Sequence, residues 1–414
     1  MTKLNLSVEK LSLGFLLFTG LSTFFWFGLT LLGMDLDLLS LAIALVLAVA
    51  VSRHLLRTDL QEPTTSSVKY SGFEKYLLVV IGTVSLLAII VALYNPVVSW
   101  DSLTLYDYRG MYIAKNHSLA GLFNTTYYLS YPLMTSLIHA GVYLLGGNHP
   151  QVFYAFTYLA LLGIIYSRMH ATTTRTLALI ATTLVATNPY LWEHATISYT
   201  NLPYTAFLLA GMLYAPRSLL LSGVLLGLST WVRISEPFWL VALALLVYHG
   251  VSQHKYLRLG LSLTLAFTLR YTWARYLSWA YSQIDFVVAP TSTIISLDTL
   301  RTLIGNTRSI LTYLSQFILM PYLGYWVLGL LSFAGLIFVY YHKLRDRYFA
   351  PLAVVFILIS LMVVAGVAFF SVTYASWYSI GGSATRMMLF IVPLLTCLGV
   401  YLLHLLAKHY DKQK

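Results

Sequence analysis

Residues 100–110, Trp-Asp-Ser-Leu-Thr-Leu-Tyr-Asp-Tyr-Arg-Gly, carry the side chains best suited to chemistry. They follow an apolar run, residues 77–93, that is long enough to cross a membrane, and they open a polar, aromatic loop. A carboxylate just beyond a membrane-spanning helix is placed to accept a proton at the membrane surface. We therefore predict that Asp101 is a general base. The alternative is that Asp101 caps the helix that follows it.

Arginines elsewhere in the chain are suited to binding a phosphate. Arg386 follows two glycines in the stretch 381–388, where the backbone can approach a ligand and the guanidinium can grip a phosphate with two hydrogen bonds. Arg233 and Arg301 are predicted to assist it from the same side of the membrane. The alternative for Arg386 is a side chain that extends to lipid headgroups.

A third group of residues is predicted to contact the substrate: Glu193, His194, Glu236, Arg109 and Tyr131. Several of them have structural alternatives. Glu193 could anchor the chain at the interface, and His194 could be a histidine satisfied within its own loop. Arg233 and Glu236, three residues apart, could form an ion pair.

The second acidic residue of the loop, Asp107, is assigned a structural role. It is predicted to pair with Arg109 or with another basic residue on the surface.

The composition indicates a polytopic, all-α membrane protein. The chain has 414 residues, of which 59% are hydrophobic and only 9% are charged, against about 25% charged in soluble domains. The net charge of +11 indicates basic cytoplasmic loops before it indicates anionic ligands, and nucleic acid is excluded as a partner because the basic residues form no soluble patch. The single cysteine, Cys397, permits no internal disulfide.

About twelve membrane spans are predicted from the apolar segments. Their ranges are 11–33, 37–52, 76–94, 150–168, 175–190, 199–215, 218–232, 235–250, 256–273, 322–341, 350–372 and 386–407. Basic residues fall in alternate connections, which belong in the cytoplasm. They include Arg53, Arg57, Lys69, Lys75, Arg168, Arg175, Arg217, Lys255, Arg258, Lys343 and Lys408. Both termini are then cytoplasmic, and residues 95–149 form the first large outer loop.

This topology requires that residues 131–147 do not cross. Their ~14 helical residues would span only ~21 Å, against ~30 Å of hydrocarbon. The segment starts at Tyr131-Pro132 and stops at Gly146-Gly147, with Ser136, His139 and Tyr143 on one face and leucines on the other. This pattern predicts an interfacial helix beside Asp101. The alternative is that 131–147 crosses and that a later span is misassigned.

Several motifs are missing from the sequence. It has no Walker A loop, no GxGxxG before a helix, no HExxH and no CxxC pair. No cofactor is predicted, although carboxylates from separate loops could assemble a divalent-metal site. Because no soluble module is present to hold a nucleotide-activated donor, a donor delivered on a lipid fits better.

The order of these features resembles the GT-C superfamily of integral-membrane glycosyltransferases. The resemblance extends from about residue 77 to the C-terminus. The features that carry it are Trp100-Asp101, the Tyr131-Pro132-Leu133 helix, Asn188-Pro189 with Glu193, the stretch 230–236, and the Arg386 helix with Pro393. The chain departs from the family in having Ser102 rather than a second acidic residue after Asp101, and Asn201 in a later helix where relatives often carry an acidic residue. These departures favour a metal-independent, monophosphate donor.

The resemblance implies an inverting transfer of a sugar from a polyprenyl-phosphate donor to an acceptor hydroxyl on the outer face. Asp101 would be the general base, and Arg386, helped by Arg233 or Arg301, would neutralise the departing phosphate. The acceptor could be a lipid, a glycan or a protein. The expected location is a bacterial or archaeal plasma membrane.

The resemblance also implies a division of the chain. Residues 1–75 would be added transmembrane helices, 76–273 the catalytic module with its outer loop 95–149, and 274–414 the lipid-donor side. Competing interpretations are a transporter or flippase of a lipid-linked or anionic substrate, a ligase that uses a pyrophosphate-linked donor, and a non-catalytic scaffold. A transporter would favour charges at mid-membrane and symmetric halves, and neither is evident in this sequence.

Overall fold

The computed structural model describes residues 7–59, 69–122, 130–234, 236–280, 297–342, 348–373 and 376–411. The chain is 85% helix, and no strand occurs in these residues, which confirms the all-α class. The predicted cytoplasmic residue Lys343 lies outside the described ranges, as does the side chain of Glu236.

The first nine helices carry the chain through the region of Asp101. They are α1 (Val8–Leu31), α2 (Leu38–Asp59), α3 (Gly72–Tyr94), α4 (Tyr108–Asn116), α5 (Met134–Leu144), α6 (Val152–Thr172), α7 (Arg175–Ala186), α8 (Pro189–His194) and α9 (Asn201–Tyr214). A π-helical turn, Ser102–Asp107, leads into α4.

Nine further helices follow. They are α10 (Leu219–Val232), α11 (Glu236–Ser252), α12 (Tyr256–Ala280), α13 (Leu297–Gly305), α14 (Thr307–Tyr313), α15 (Leu323–Tyr341), α16 (Phe349–Thr373), α17 (Gly381–Met387) and α18 (Ile391–Asp411). A second π-helical turn, Leu314–Leu319, and a 3₁₀ turn, Met320–Tyr322, join α14 to α15.

Local capping chemistry sets several of the helix starts. Ser71 and Glu74 form a reciprocal capping box at the start of α3. The Asn188 side chain accepts the Leu191 N–H, and Pro189 occupies the first position of α8, where no backbone N–H is needed. The polar residues between the apolar runs thus define where the helices begin.

Within the described residues, seven helical segments are long and apolar enough to cross a membrane: Val8–Leu31, Leu38–Arg57, Gly72–Tyr94, Val152–Thr172, Thr307–Tyr341, Phe349–Thr373 and Gly381–Asp411. Each of the twelve predicted spans coincides with a helix. However, α7 has 12 residues and α9 and α10 have 14 each, or about 18–21 Å of rise. The structure therefore supports a polytopic membrane protein with at least these seven segments.

The first helix lies in the core of the molecule. Trp26 and Phe27 of α1 are fully buried, and Phe27 packs on Trp231 of α10 and Trp273 of α12. The Trp231 indole N–H donates to Thr23, also on α1, at 3.1 Å. The segment predicted as an N-terminal addition is thus part of the packing that supports the end of α10.

Close approach of α10 and α12 depends on two glycines. A Cβ at Gly223 would lie 2.5 Å from the Ser262 carbonyl oxygen, and one at Gly227 would lie 2.6 Å from Leu269. Small residues at such crossings let helix backbones pack without a gap.

The helix ends form two groups at opposite ends of the bundle. Where α1, α3, α7 and α10 begin, Glu9 pairs with Arg217 and Glu74 pairs with Arg175, each at 2.8 Å. Where α3, α7 and α10 end, Asp101, His194 and Arg233 follow them in the chain. The basic residues predicted to be cytoplasmic and the residues predicted to do chemistry therefore lie at different ends of these helices.

The helix α5 is as short as the sequence predicts, but its polar face does not meet water. It has 11 residues, or about 16 Å of rise, too little to cross a bilayer. Ser136 and His139, predicted to lie on the polar face of an interfacial helix, are fully buried because α5 packs against α4 and α6 brings Tyr154 onto His139.

Candidate functional site

An ion pair between Asp101 and Arg386 lies at the centre of the candidate site. The Arg386 Nη1 lies 3.0 Å from the Asp101 Oδ2, although 285 residues separate the two in the chain. The Asp101 side chain is 42% exposed and the Arg386 side chain is 27% exposed. The residue predicted as the base and the residue predicted to bind phosphate are thus direct partners, and both are accessible from solution.

Asp101 does not act as a helix cap. Its backbone is helical, its side chain makes no capping hydrogen bond, and its carboxylate turns to Arg386 instead. The π-helical turn that follows places one extra residue in the turn, and such insertions occur frequently at functional sites. The capping alternative is therefore not what the structure adopts.

Arg386 is held by three different groups. Besides Asp101, its guanidinium donates to the Ser383 hydroxyl at 3.0 Å and lies over the Tyr199 ring, 4.6 Å from the ring centroid. The supporting helix α17 is fixed by Thr385, whose hydroxyl donates to the Phe317 carbonyl at 2.7 Å. Stacking of a guanidinium on an aromatic ring keeps its edge free for further hydrogen bonds.

Arg233 lies over the aromatic ring of Tyr131. It is the C-cap of α10, and its guanidinium lies 5.6 Å from the centroid of the Tyr131 ring. Tyr131 in turn meets the buried Tyr106 edge to face, and the Tyr106 hydroxyl hydrogen-bonds Thr200 at 3.1 Å. Burial raises the pKa of Tyr106 well above its usual range, so the phenol stays protonated.

Arg109 is buried rather than open to a substrate. Its Nη1 donates to the Tyr131 carbonyl at 3.0 Å, and the residue has no exposed surface. Burial lowers the pKa of Arg109 to about 10, so the side chain is still charged at neutral pH. The Arg109 side chain thus holds the Tyr131 backbone, whereas the sequence predicted that it would contact the substrate.

His194 is buried and neutral at the edge of the site. Its Nδ1 lies 2.8 Å from the Tyr190 carbonyl, which fixes Nδ1 as the protonated nitrogen. Burial lowers the pKa of His194 to about 4, and the positive charges of Arg386 and Arg233 act in the same direction. Its Nε2 is buried and accepts no hydrogen bond from the described residues. His194 is thus only half satisfied by its own loop.

The remaining predicted residues, Glu193 and Arg301, are both exposed. Glu193 lies near Tyr322, whose hydroxyl donates to the carbonyl of Thr385, the residue before Arg386. Arg301 is exposed on α13, a helix that packs on α14 and α16, and the contacts described around Asp101 do not include it. Its predicted help to Arg386 stays a prediction.

Asp107 has partners that the sequence did not indicate. Its Oδ1 lies 2.8 Å from Nδ1 of His139 and also accepts a hydrogen bond from Tyr143. His139 continues the chain to the Tyr154 hydroxyl, at 3.1 Å from Nε2. The prediction that Asp107 has a structural role fits this geometry, but the partners of Asp107 are His139 and Tyr143 of α5 and not a basic residue on the surface.

An apolar groove of about 310 Å³ opens beside Arg386. Ser383, which holds Arg386, lines it together with Ile234, the residue after Arg233. The rest of the wall is mostly apolar and comes from α11, α14, α16, α17 and the turns on either side of α17, including Phe238, Tyr313, Val367, Trp377 and Met388. The groove therefore adjoins the residue that holds Arg386 and the residue that follows Arg233.

Sequence reasoning missed Tyr199 and Ser383, which contact Arg386 directly, and Thr200, which holds the Tyr106 hydroxyl beneath Tyr131. Tyr199 and Thr200 lie directly before α9, so a helix-start pattern was the only signal. Among the described residues, no three side chains of the types His, Cys, Asp and Glu come together as metal ligands do.

No protein-family model, curated protein or solved structure matches this chain.

Proposed function

We propose that the protein is a membrane glycosyltransferase of the GT-C type. It transfers a sugar from a polyprenyl-phosphate donor to an acceptor hydroxyl, with inversion. The observation that carries the proposal is the accessible Asp101–Arg386 pair at the mouth of the apolar groove. It brings together a proton acceptor, a phosphate ligand and a place for a lipid chain.

The pair accounts for both halves of the reaction. The donor phosphate competes with Asp101 for Arg386, because both are anions that a guanidinium binds. Asp101 then takes the proton from the acceptor hydroxyl while the oxygen of that hydroxyl bonds to the anomeric carbon of the sugar. The bond from that carbon to the phosphate oxygen breaks, and the electron pair leaves with the polyprenyl phosphate. Arg386 and Arg233 stabilise that developing charge.

The groove supports a lipid-linked donor rather than a soluble one. Its wall is apolar, and Ser383 and Ile234 connect it to the two arginines. The polyprenyl chain lies along α16 and α17, and the sugar lies towards Tyr131 and Tyr199, whose rings face the arginines. His194 Nε2, which is buried and can accept a hydrogen bond, accepts one from a hydroxyl of the sugar or of the acceptor substrate.

The proposed topology has about twelve spans, with the Asp101 end outside and both termini in the cytoplasm of a bacterial or archaeal cell. The separation of the basic connections from the site along α3, α7 and α10 supports it, because basic loops are retained in the cytoplasm. The short helices α7, α9 and α10 would complete their crossings with their flanking turns.

The test is sugar transfer by the purified protein in nanodiscs. Radiolabelled polyprenyl-phosphate sugars are offered with a membrane extract as acceptor, and wild type is compared with Asp101→Asn. We expect transfer to fall about 10²–10⁴-fold in the variant. The matched control is Asp107→Asn, which changes the same residue type at the other end of the same turn. Equal transfer by Asp101→Asn and wild type would overturn the assignment of the base.

A transporter is the competing class, and the same preparation tests it. Wild type that transfers no sugar, but moves a labelled lipid-linked sugar across vesicles, would replace the enzyme with a transporter.

A further inference from the structure

A basic pocket lies at the end of the helices away from Asp101. It encloses about 220 Å³ between the end of α2, the turn before α10 and the start of α12. Arg217 lies in that turn, whereas Arg233 follows the other end of α10, 14 helical residues away. The pocket is therefore separate from the groove and from every residue assigned to the proposed reaction.

Each ionisable side chain that lines this pocket is basic: His54, Arg217, Lys255 and Arg258. Glu9 neutralises part of this charge, since Arg217 Nη1 lies 2.8 Å from it, but Glu9 also accepts a hydrogen bond from Tyr214 and lies outside the lining. Lys255 donates to the neutral Gln253, at 2.8 Å. The pocket therefore carries an excess of positive charge. Basic residues in cytoplasmic connections set the orientation of a membrane protein, but that role does not require them to gather around one pocket.

The wall beside the basic groups is apolar and exposed. Leu261 lines the pocket and is 52% exposed, and Leu257 and Leu265 continue the same exposed face of α12. On α2, Val46 and Val49 are likewise exposed, and α2 is one of the helices able to cross a membrane. A ligand here meets positive charge at one end and a hydrocarbon-like surface beside it.

We propose that this pocket binds the phosphodiester headgroup of an anionic phospholipid, with the acyl chains along α2 and α12. Charge complementarity selects an anion, and the adjoining leucines and valines select one that carries apolar chains. Basic pockets between helices near the cytoplasmic surface bind such headgroups through the same combination of charge and apolar contact. The bound lipid would join α2 to the α10–α12 pair.

The test measures lipid binding without measuring transfer. The protein is purified in a neutral detergent, and phosphatidylglycerol, phosphatidylcholine or inorganic phosphate is added at constant ionic strength. Bound lipid is counted by native mass spectrometry, and the Tm is followed by tryptophan fluorescence. We expect phosphatidylglycerol to bind and to raise the Tm more than phosphatidylcholine does.

The variant K255Q/R258Q removes two exposed positive charges from the pocket. We expect its apparent affinity for phosphatidylglycerol to fall roughly 30-fold, because two basic contacts are lost. The matched control K75Q/K408Q removes two exposed charges from α3 and α18 and should bind as wild type does. Equal phosphatidylglycerol binding by both double variants would overturn the site. An equal Tm shift from inorganic phosphate alone would overturn the lipid as its occupant.

Discussion

Two carboxylates border the same six-residue π-helical turn, and their surroundings differ in every respect. Asp101, before the turn, is 42% exposed and has one charged partner, brought by a distant helix. Asp107, at its end, is buried and holds His139 and Tyr143 of the neighbouring α5. The first carboxylate can exchange its partner for a substrate, whereas the second cannot leave without breaking a buried network.

The comparison shows why residue type alone does not separate a carboxylate suited to catalysis from a structural one. A surface ion pair costs little to open, because water replaces the partner. A buried pair is costly to break, because the remaining charge has no solvent. Access to solution and ease of exchange therefore support the proposed proton-transfer role of Asp101 and a structural role for Asp107.

The largest effect should come from Asp107→Ala. Because it leaves His139 and Tyr143 without their shared acceptor in a buried place, we expect a loss of about 3–5 kcal/mol of stability. Thermal unfolding in detergent measures the loss as a lower Tm. Transfer per folded molecule should stay within a few-fold of wild type. A folded Asp107→Ala protein that transfers no sugar would remove the distinction between the two carboxylates.

Substituting the partner of each carboxylate tests the comparison further. Arg386→Gln should reduce transfer about 10²–10³-fold, because the charge that stabilises the leaving phosphate is lost. The Tm should change little, since Arg386 is 27% exposed. His139→Gln, which changes the partner of Asp107, should lower the Tm and should leave transfer little changed. Steady-state transfer and Tm are measured on both, and a shared phenotype would contradict the separation.

The sequence predicted the helical framework better than it predicted the contacts between helices. The apolar runs located the helices because burial in hydrocarbon is decided by composition along the chain. Asp101 and Arg386 were predicted separately, and only the docking of α17 beside the π-helical turn makes them partners. His139 was assigned to the polar face of α5, but no local pattern could tell that this face meets Asp107 and not water.

The same limit applies to the residues that surround Arg386. Tyr199 and Ser383 gain their roles from contacts between helices far apart in the chain, and both residue types are common in membrane proteins. Arg301 was predicted for its charge, and its helix α13 packs on α14 and α16, two of the helices that line the groove. Local propensities therefore identified elements and candidate charges, while tertiary packing decided which of them meet.

A third way to examine the site is through pH, by means of His194. The pKa of His194 is about 4 in the folded protein and about 6.5 when unfolded, so folding favours the neutral form. Its contribution to stability is complete above about pH 6.5 and is lost as the pH falls towards 4, by about 3 kcal/mol in total. The Tm of wild type should therefore fall more steeply over this range than that of His194→Gln. Parallel curves would show that His194 is not held neutral beside the arginines.

The smallest expected effect concerns Ser383, which touches Arg386 but not Asp101. Ser383→Ala removes the 3.0 Å hydrogen bond to the guanidinium and leaves the Tyr199 stacking and the Asp101 pair in place. A hydrogen bond to a charged group contributes about 1.5–3 kcal/mol, and the remaining contacts should limit the loss of transfer to roughly tenfold. Because Ser383 also lines the groove, the loss should include a higher KM for the lipid-linked donor. Ser379→Ala, a serine of the preceding 3₁₀ turn Trp377–Ile380, is the matched control and should transfer as wild type does. If Ser383→Ala instead equalled Arg386→Gln, the hydroxyl would be required to hold the guanidinium, and Arg386 could not exchange freely between Asp101 and a phosphate.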